Sequence, residues 1–351
     1  MNIRNTYHIF GLILLLIMGS CSHTRYVTMN AVRPAEITFP EEVRKILLVN
    51  RTAHENRNLN ILEGVLTGER PGDDRRGVQE TMLAFSSQLT QTPRFEVMQN
   101  PAPLTGNSMG RSFPEPLPWD SINYFCDEYS ADIVVAIEVF DSDFVITSGQ
   151  RTIRKIIEIA GSSKQVPITE FIITGKGNVT VGFRIYDPVA RTIVDQDMFR
   201  QDHQWESSGI NPLAARASLI NRPEAIMHVA RLAGTHYAYK IAPLPIRIRR
   251  EFYSRSRKVP EMAMGSRQAD VNEWNKSVES WKKGLEYAKR KDAGRLSYDI
   301  AIAYEVLGDL ELAVEWVQRS YVDYDNKKAR DYYRLLRNRI RDEAIIEEQL
   351  K

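Results

Sequence analysis

Apolar and polar positions along this chain change period several times, and each change predicts an element. From Ile9 to Met18 the residues are apolar apart from Gly11, a run that reaches about 15 Å as a helix, roughly half of a hydrocarbon core. Such a segment cannot span a bilayer. "VRKILLVN" (Val43 to Asn50) is a short β-branched and Leu-rich run that reads as a buried strand. A polar loop over 51–74 follows, then Val78, Met82, Phe85 and Leu89 recur at helical spacing, and "RFEVM" gives a second strand. Five prolines between Pro101 and Pro118 predict an extended surface passage. "WDSINYFCDEY" reads as a helix, and "ADIVVAIEVF" (Ala131 to Phe140), apolar on both faces, as a central strand covered on two sides.

Farther on, Val179, Val181, Phe183 and Ile185 alternate with Thr180, Gly182, Arg184 and Tyr186, the period of a half-buried antiparallel strand. "DPVAR" turns it and "TIVDQDMFRQ" returns, predicting a hairpin over 178–201. Pro223 opens a helix whose stripe is Ile226, Val229, Ala230, Ala233, Tyr237 and Ile241. Residues 244–268, rich in Pro and charge, read as a boundary, and everything beyond them as helical. Asp270 and Glu273 have the spacing of a capping box ahead of Trp274, Val278, Trp281 and Leu285. Further helices are expected over about 293–306, 309–323 and 328–348, the first pair turning at Gly308.

The fold class expected is therefore α+β: an N-terminal mixed α/β domain with an antiparallel hairpin over 41–250, a basic linker over 251–268, and an all-α domain over 269–351. In the helical domain, Ile300, Ala301, Tyr304, Gly308, Ala313, Val317 and Ser320 resemble the tetratricopeptide pattern of large, small, aromatic and Gly positions. Ser297 and Asp325 stand where that family usually has Trp or Leu and often Pro. The resemblance implies a concave groove lined by Arg295, Tyr298, Ile302, Glu305 and Val306. At the other end, "IMGSC" resembles the lipobox of bacterial lipoproteins, which implies a signal peptide over 1–20, diacylglyceryl transfer to Cys21, and a tether over 21–40. Several acyl chains, at about 0.8 kcal/mol per buried CH₂, hold a protein on a bilayer almost permanently. The order of elements over 41–250 resembles the amino-terminal domain of TolB and the curli-secretion lipoprotein CsgG. The whole resembles a Bacteroidetes lipoprotein family of unknown function that joins such a domain to tetratricopeptide-like helices.

Composition narrows the function. With a net charge of +2 over 351 residues there is no global attraction for nucleic acid. Cys126 is the one cysteine besides Cys21, so once Cys21 is acylated no intramolecular disulfide can form; Cys126 reads as core.

Candidate chemistry is sparse. Gly106 to Gly110 matches G-x-S-x-G, but prolines on both sides deny it the strand and helix a nucleophile elbow needs. Gly175-Lys176-Gly177 reads as a turn before the Val179 strand. Asp141, Asp143, Asp195, Asp197, Asp202 and His203 are candidates for a divalent-metal or acid-base cluster at strand ends. The run from Arg247 to Lys258 holds six basic residues and one Glu, a solvated linker or a contact for anionic lipid. The expected function is a lipid-anchored outer-membrane protein facing the periplasm. It would bind another protein or polymer without catalysis, metal or cofactor. An envelope enzyme using Asp141, Asp143 and His203, and a component of an oligomeric secretion assembly, are the alternatives.

Overall fold

The structure, a computed structural model, describes residues 24–53, 73–106, 112–159 and 162–351. Cys21, residues 54–72 of the expected polar loop, and Ser108 lie outside them. Seven strands and nine helices are formed among the described residues, and the fold class is α+β. The chain divides into a sheet unit, Pro34–Leu244 with Gln349–Lys351, and a helical unit that combines the described residues through Arg33 with Pro245–Glu348.

The helical unit opens with strand β1 (Thr24–Arg33); the sheet unit begins with β2 (Lys45–Asn50), helix α1 (Asp73–Leu89), β3 (Glu96–Gln99) and α2 (Trp119–Tyr129). Three long strands follow, β4 (Ile133–Ile159), β5 (Ser162–Asp187) and β6 (Thr192–Gly209), then α3 (Pro212–Ala217) and α4 (Arg222–Ile241). The five-stranded sheet has the order β3-β2-β4-β5-β6. The β3, β2 and β4 neighbours are parallel, whereas β4, β5 and β6 run antiparallel.

Strand β4 is central, as its two-faced apolar run requires. Ile133, Val135 and Ile137 enter the main core with α1 and α4, and Val134 and Ala136 enter a second core with Ile122 and Cys126 of α2. Burial pushes the Cys126 thiol up to about 11, so it stays an inert thiol. All six stripe residues of α4 are buried. Asn221 caps this helix, its side chain accepting from Glu224 N–H at 3.0 Å. Helices α1 and α4 cross closely at Gly234, where an added Cβ would stand 2.2 Å from the Thr81 carbonyl oxygen. At the β5–β6 turn the Asp187 carboxylate accepts from the backbone N–H groups of Val189 and Ala190, at 2.8 and 2.9 Å.

Several expectations change here. The hairpin reaches past 178–201, since β5 and β6 pair from Phe171 opposite Gly209 to Asp187 opposite Thr192, and β4 and β5 continue as a separate paired ribbon from Asp141 to Ile159 and back from Ser162. Most of its described side chains beyond Val145 are exposed or half-buried, so no burial period marks it. Gly175 and Gly177 are not a turn but lie inside β5, opposite Ile146 and Phe144. An added Cβ at Gly175 would meet the Phe144 ring at 2.6 Å, so glycine here makes room for an aromatic side chain.

In the helical unit, β1 pairs with β7 (Leu244–Tyr253), followed by α5 (Pro260–Asp270), α6 (Trp274–Leu285), α7 (Arg290–Leu307), α8 (Leu310–Val322) and α9 (Lys327–Leu350). The expected tether and basic linker thus carry regular elements. Ile246, Ile248, Arg250 and Phe252 alternate with Pro245, Arg247, Arg249, Glu251 and Tyr253, a strand period that the density of charge conceals. Phe252 packs against Trp274 and Trp281, ring centres 6.1 and 6.2 Å away. Asp270 makes no capping box; it ends α5 and pairs with Arg25, and Glu273 stands at the start of α6 without a side-chain cap. Gly308 ends α7 in the left-handed region, φ 86°, and the Asp309 side chain caps α8 by accepting from Leu312 N–H at 3.0 Å. Asp325 also takes a positive φ, 57°, which proline's ring forbids.

Candidate functional site

Helix α7 is enclosed on almost every side, and this decides the fate of the expected groove. Ile302 is fully buried, Tyr298 packs against Tyr253 and Tyr332 with ring centres 5.8 and 5.2 Å apart, and Val306 is half-buried against the core. Glu305 is buried in an ionic cluster. Arg250 donates to both its oxygens at 2.8 and 2.9 Å, Arg339 at 2.5 Å and the Tyr332 hydroxyl at 2.7 Å. These four residues are interior, so no open groove of that composition exists; β7 and α9 cover the helix face that the sequence pattern left open. Arg250, expected in a solvated linker, is one of the clamps.

Arg295 alone reaches a concave surface. It lines a cavity of about 440 Å³ with Tyr253, Arg290, Lys291, Tyr324, Asp325, Asn326 and Lys327, a size that suits a small ligand or one group of a larger one. Three elements converge there: the end of β7, the first turns of α7, and the connection from α8 to α9. The connection is held firmly. Asp325 N–H and Asn326 N–H donate to the Tyr321 and Ser320 carbonyls at 2.9 and 3.0 Å, and the Asn326 side chain donates to the Gly294 carbonyl at 3.2 Å. Gly294 makes this possible, because an added Cβ would press on the Tyr324 and Asn326 β-carbons at 3.0 and 3.3 Å.

Tyr253 is held from behind. Its backbone N–H donates to Asp299 at 2.8 Å, and its ring lies under Arg295 and Lys328 at 5.0 and 5.6 Å. Burial pushes the Asp299 carboxyl well above the ordinary range, against the opposing effects of that N–H bond and of Arg295. Burial likewise raises the Tyr253 phenol, so it stays a neutral donor at physiological pH. Helix α7 begins at Arg290 without a side-chain cap and carries the acid Asp292 in its first turn.

The carboxylates and histidine proposed as a metal or acid-base cluster are not brought together. Asp195 and Asp197 face α4, where Lys240 reaches both at 2.9 and 2.8 Å and the Tyr237 hydroxyl donates to Asp195 at 2.8 Å. His203 is on the same face, its ring 4.9 Å from that of His228. Asp141 and Asp143 alternate with the inward residues Phe140, Ser142 and Phe144, and Asp202 precedes His203, so these three acids project from the opposite face. Among the described residues no group of three or more His, Cys, Asp or Glu is placed to hold a metal ion, and no helix is long and apolar enough to cross a membrane.

Sequence reasoning missed the buried acid of the sheet's central strand, Glu138. It accepts from the Tyr186 hydroxyl at 2.7 Å and pairs with Arg184 and Arg51 at 2.6 and 3.0 Å. A lone Glu inside "VVAIEVF" was the available signal, since a buried acid demands a partner.

The chain belongs to the family described as Domain of unknown function (DUF8603), which matches residues 43–253, and a second pattern, Domain of unknown function (DUF6340), matches residues 263–338. Among solved structures it is similar to one described as a neuraminyllactose-binding hemagglutinin homolog from Helicobacter pylori. That match has 12% identity and a TM-score of 0.26, over 58% of this chain and 86% of the other. TolB from Acinetobacter baumannii matches at 10% identity and a TM-score of 0.22, over 62% of this chain and 32% of TolB. No curated protein matches the chain.

Proposed function

We propose that this protein is a non-catalytic binding module of the cell envelope. It is anchored in the outer membrane by acyl chains on Cys21, faces the periplasm, and contacts a protein or polymer partner through the basic cavity of the helical unit. The observation that carries this reading is the convergence of Tyr253, Arg290, Lys291, Arg295, Tyr324 and Lys327 on one concave surface. Guanidinium, ammonium and phenol groups are hydrogen-bond donors that hold and orient a ligand. The lipobox resemblance supports the anchor.

Photo-crosslinking in native envelopes tests both halves. A photoreactive residue in place of Lys289, exposed directly before α7, should give a discrete adduct in the membrane fraction, and one in place of Leu83, exposed on the sheet unit, should not. Combined with Cys21→Ala, the chain should either leave the membrane fraction or remain unprocessed, and lose the adduct. Equal adducts from both positions, or a Cys21→Ala chain that is cleaved to mature length and still needs detergent for release, would contradict the reading.

A further inference from the structure

Charge at the cavity is unevenly balanced, and the imbalance has a definite size. Arg295 already faces Asp292 at 3.5 Å. Arg290, Lys291 and Lys327 have no carboxylate within ion-pair distance among the described residues, and Asp325 is the one acid in the lining. Three unmatched cations against one carboxylate leave a surplus of two positive charges. Two helices also begin among the lining residues, α7 at Arg290 and α9 at Lys327; a helix start carries partial positive charge, which the first-turn Asp292 offsets in α7.

Resting on the binding role above, we infer that the cavity takes a phosphomonoester group, a dianion with three acceptor oxygens. A phosphomonoester carries close to two negative charges near neutral pH, which matches the surplus, whereas a carboxylate or a phosphodiester carries one. Its oxygens suit the planar guanidinium of Arg290 and the mobile ammonium groups of Lys291 and Lys327. The Tyr324 hydroxyl, already accepting from Arg319 at 3.3 Å, and the neutral Tyr253 phenol supply donors at the same wall. Asn326 is committed to Gly294 and Ser320 and serves to hold the connection in place. The group has two possible bearers, a soluble or polymer-linked phosphate ester and a lipid headgroup.

Titration calorimetry on the full chain, purified in detergent, tests this with methyl phosphate, dimethyl phosphate and acetate at pH 7.5. Methyl phosphate should bind about tenfold more tightly than either monoanion, and Lys291→Gln with Lys327→Gln should weaken it by about tenfold or more, the scale of losing charge-assisted hydrogen bonds. The Cys21→Ala chain is then mixed with phosphatidylcholine vesicles with and without phosphatidic acid. Flotation with phosphatidic acid alone, reversed by methyl phosphate, identifies a lipid source, and binding of methyl phosphate without flotation identifies a soluble or polymer source. Both outcomes keep the phosphomonoester assignment. Equal binding of the three anions, no binding of any, or unchanged affinity in the double variant overturns it. If phosphate fails while crosslinking from position 289 persists, the ligand class is wrong and the binding role stands; loss of both removes the role itself.

Discussion

Glu305→Ala should cost the helical unit about 3–5 kcal/mol, the usual penalty for removing one partner of a buried ion pair. The side chain is inaccessible to solvent, and Arg250, Arg339 and Tyr332 would be left facing a void. Much of that cost is the stranding of Arg250, which is itself nearly buried. Burial by itself would raise the Glu305 carboxyl, but the hydrogen bonds and charge of Arg250, with Tyr332 and Arg339, outweigh it and hold the group below the ordinary range. A carboxyl lowered by folding contributes stability that is fully present above its unfolded value, near 4.3, and is lost as pH falls through the lower, folded value. Urea unfolding of wild type and Glu305→Ala, followed by tryptophan fluorescence, should therefore show a large gap at pH 7 that narrows at acid pH. A pH-independent gap would mean that lost packing dominates over charge.

Glu138→Ala should destabilise the sheet unit by a similar amount, about 3–5 kcal/mol, with a local consequence as well. Arg184 and Tyr186 join Glu138 to the Pro-rich segment: Arg184 donates to the Pro114 carbonyl at 3.2 Å, and the Tyr186 hydroxyl accepts from Leu117 N–H at 3.1 Å. Arg51, which also faces Glu138, donates to the Glu115 carbonyl at 2.7 Å. Without the carboxylate these groups lose the charge that positions them, and residues 112–118 lose their attachment to the sheet. Limited proteolysis should cut the variant in this segment long before wild type. Protection equal to wild type would show that the Arg184 and Phe113 contact, 4.9 Å, suffices to hold the segment.

Elements that bury a regular face were legible in the sequence. Strand β4 declared itself because Ile133 to Ile137 meets a core on each side, α4 because its stripe is uninterrupted, and the β5–β6 turn because Asp187 can bond the backbone beyond it. The ribbon from Val145 to Ile172 was not legible, since strands solvated on both faces have no burial period to display. β7 was hidden for a different reason: its inward position 250 holds an arginine, acceptable there only because Glu305 is waiting for it. A local pattern cannot contain that pairing, which joins residues 55 apart. The same limit applies to the cavity. Arg295 was identified from the resemblance to tetratricopeptide helices, but Arg290, Lys291 and Lys327 come together through the α8–α9 connection and carry no motif. Four of the five expected groove residues were misplaced because the resemblance does not say what covers α7.

Hydrogen exchange along the full chain, measured alone and after addition of envelope extract, tests most directly whether the cavity is where a partner docks. Protection should rise at Tyr253, over 290–295 and over 324–328, and stay unchanged over the β4–β5 ribbon. Protection gained over the ribbon, with those three segments unaltered, would contradict the account.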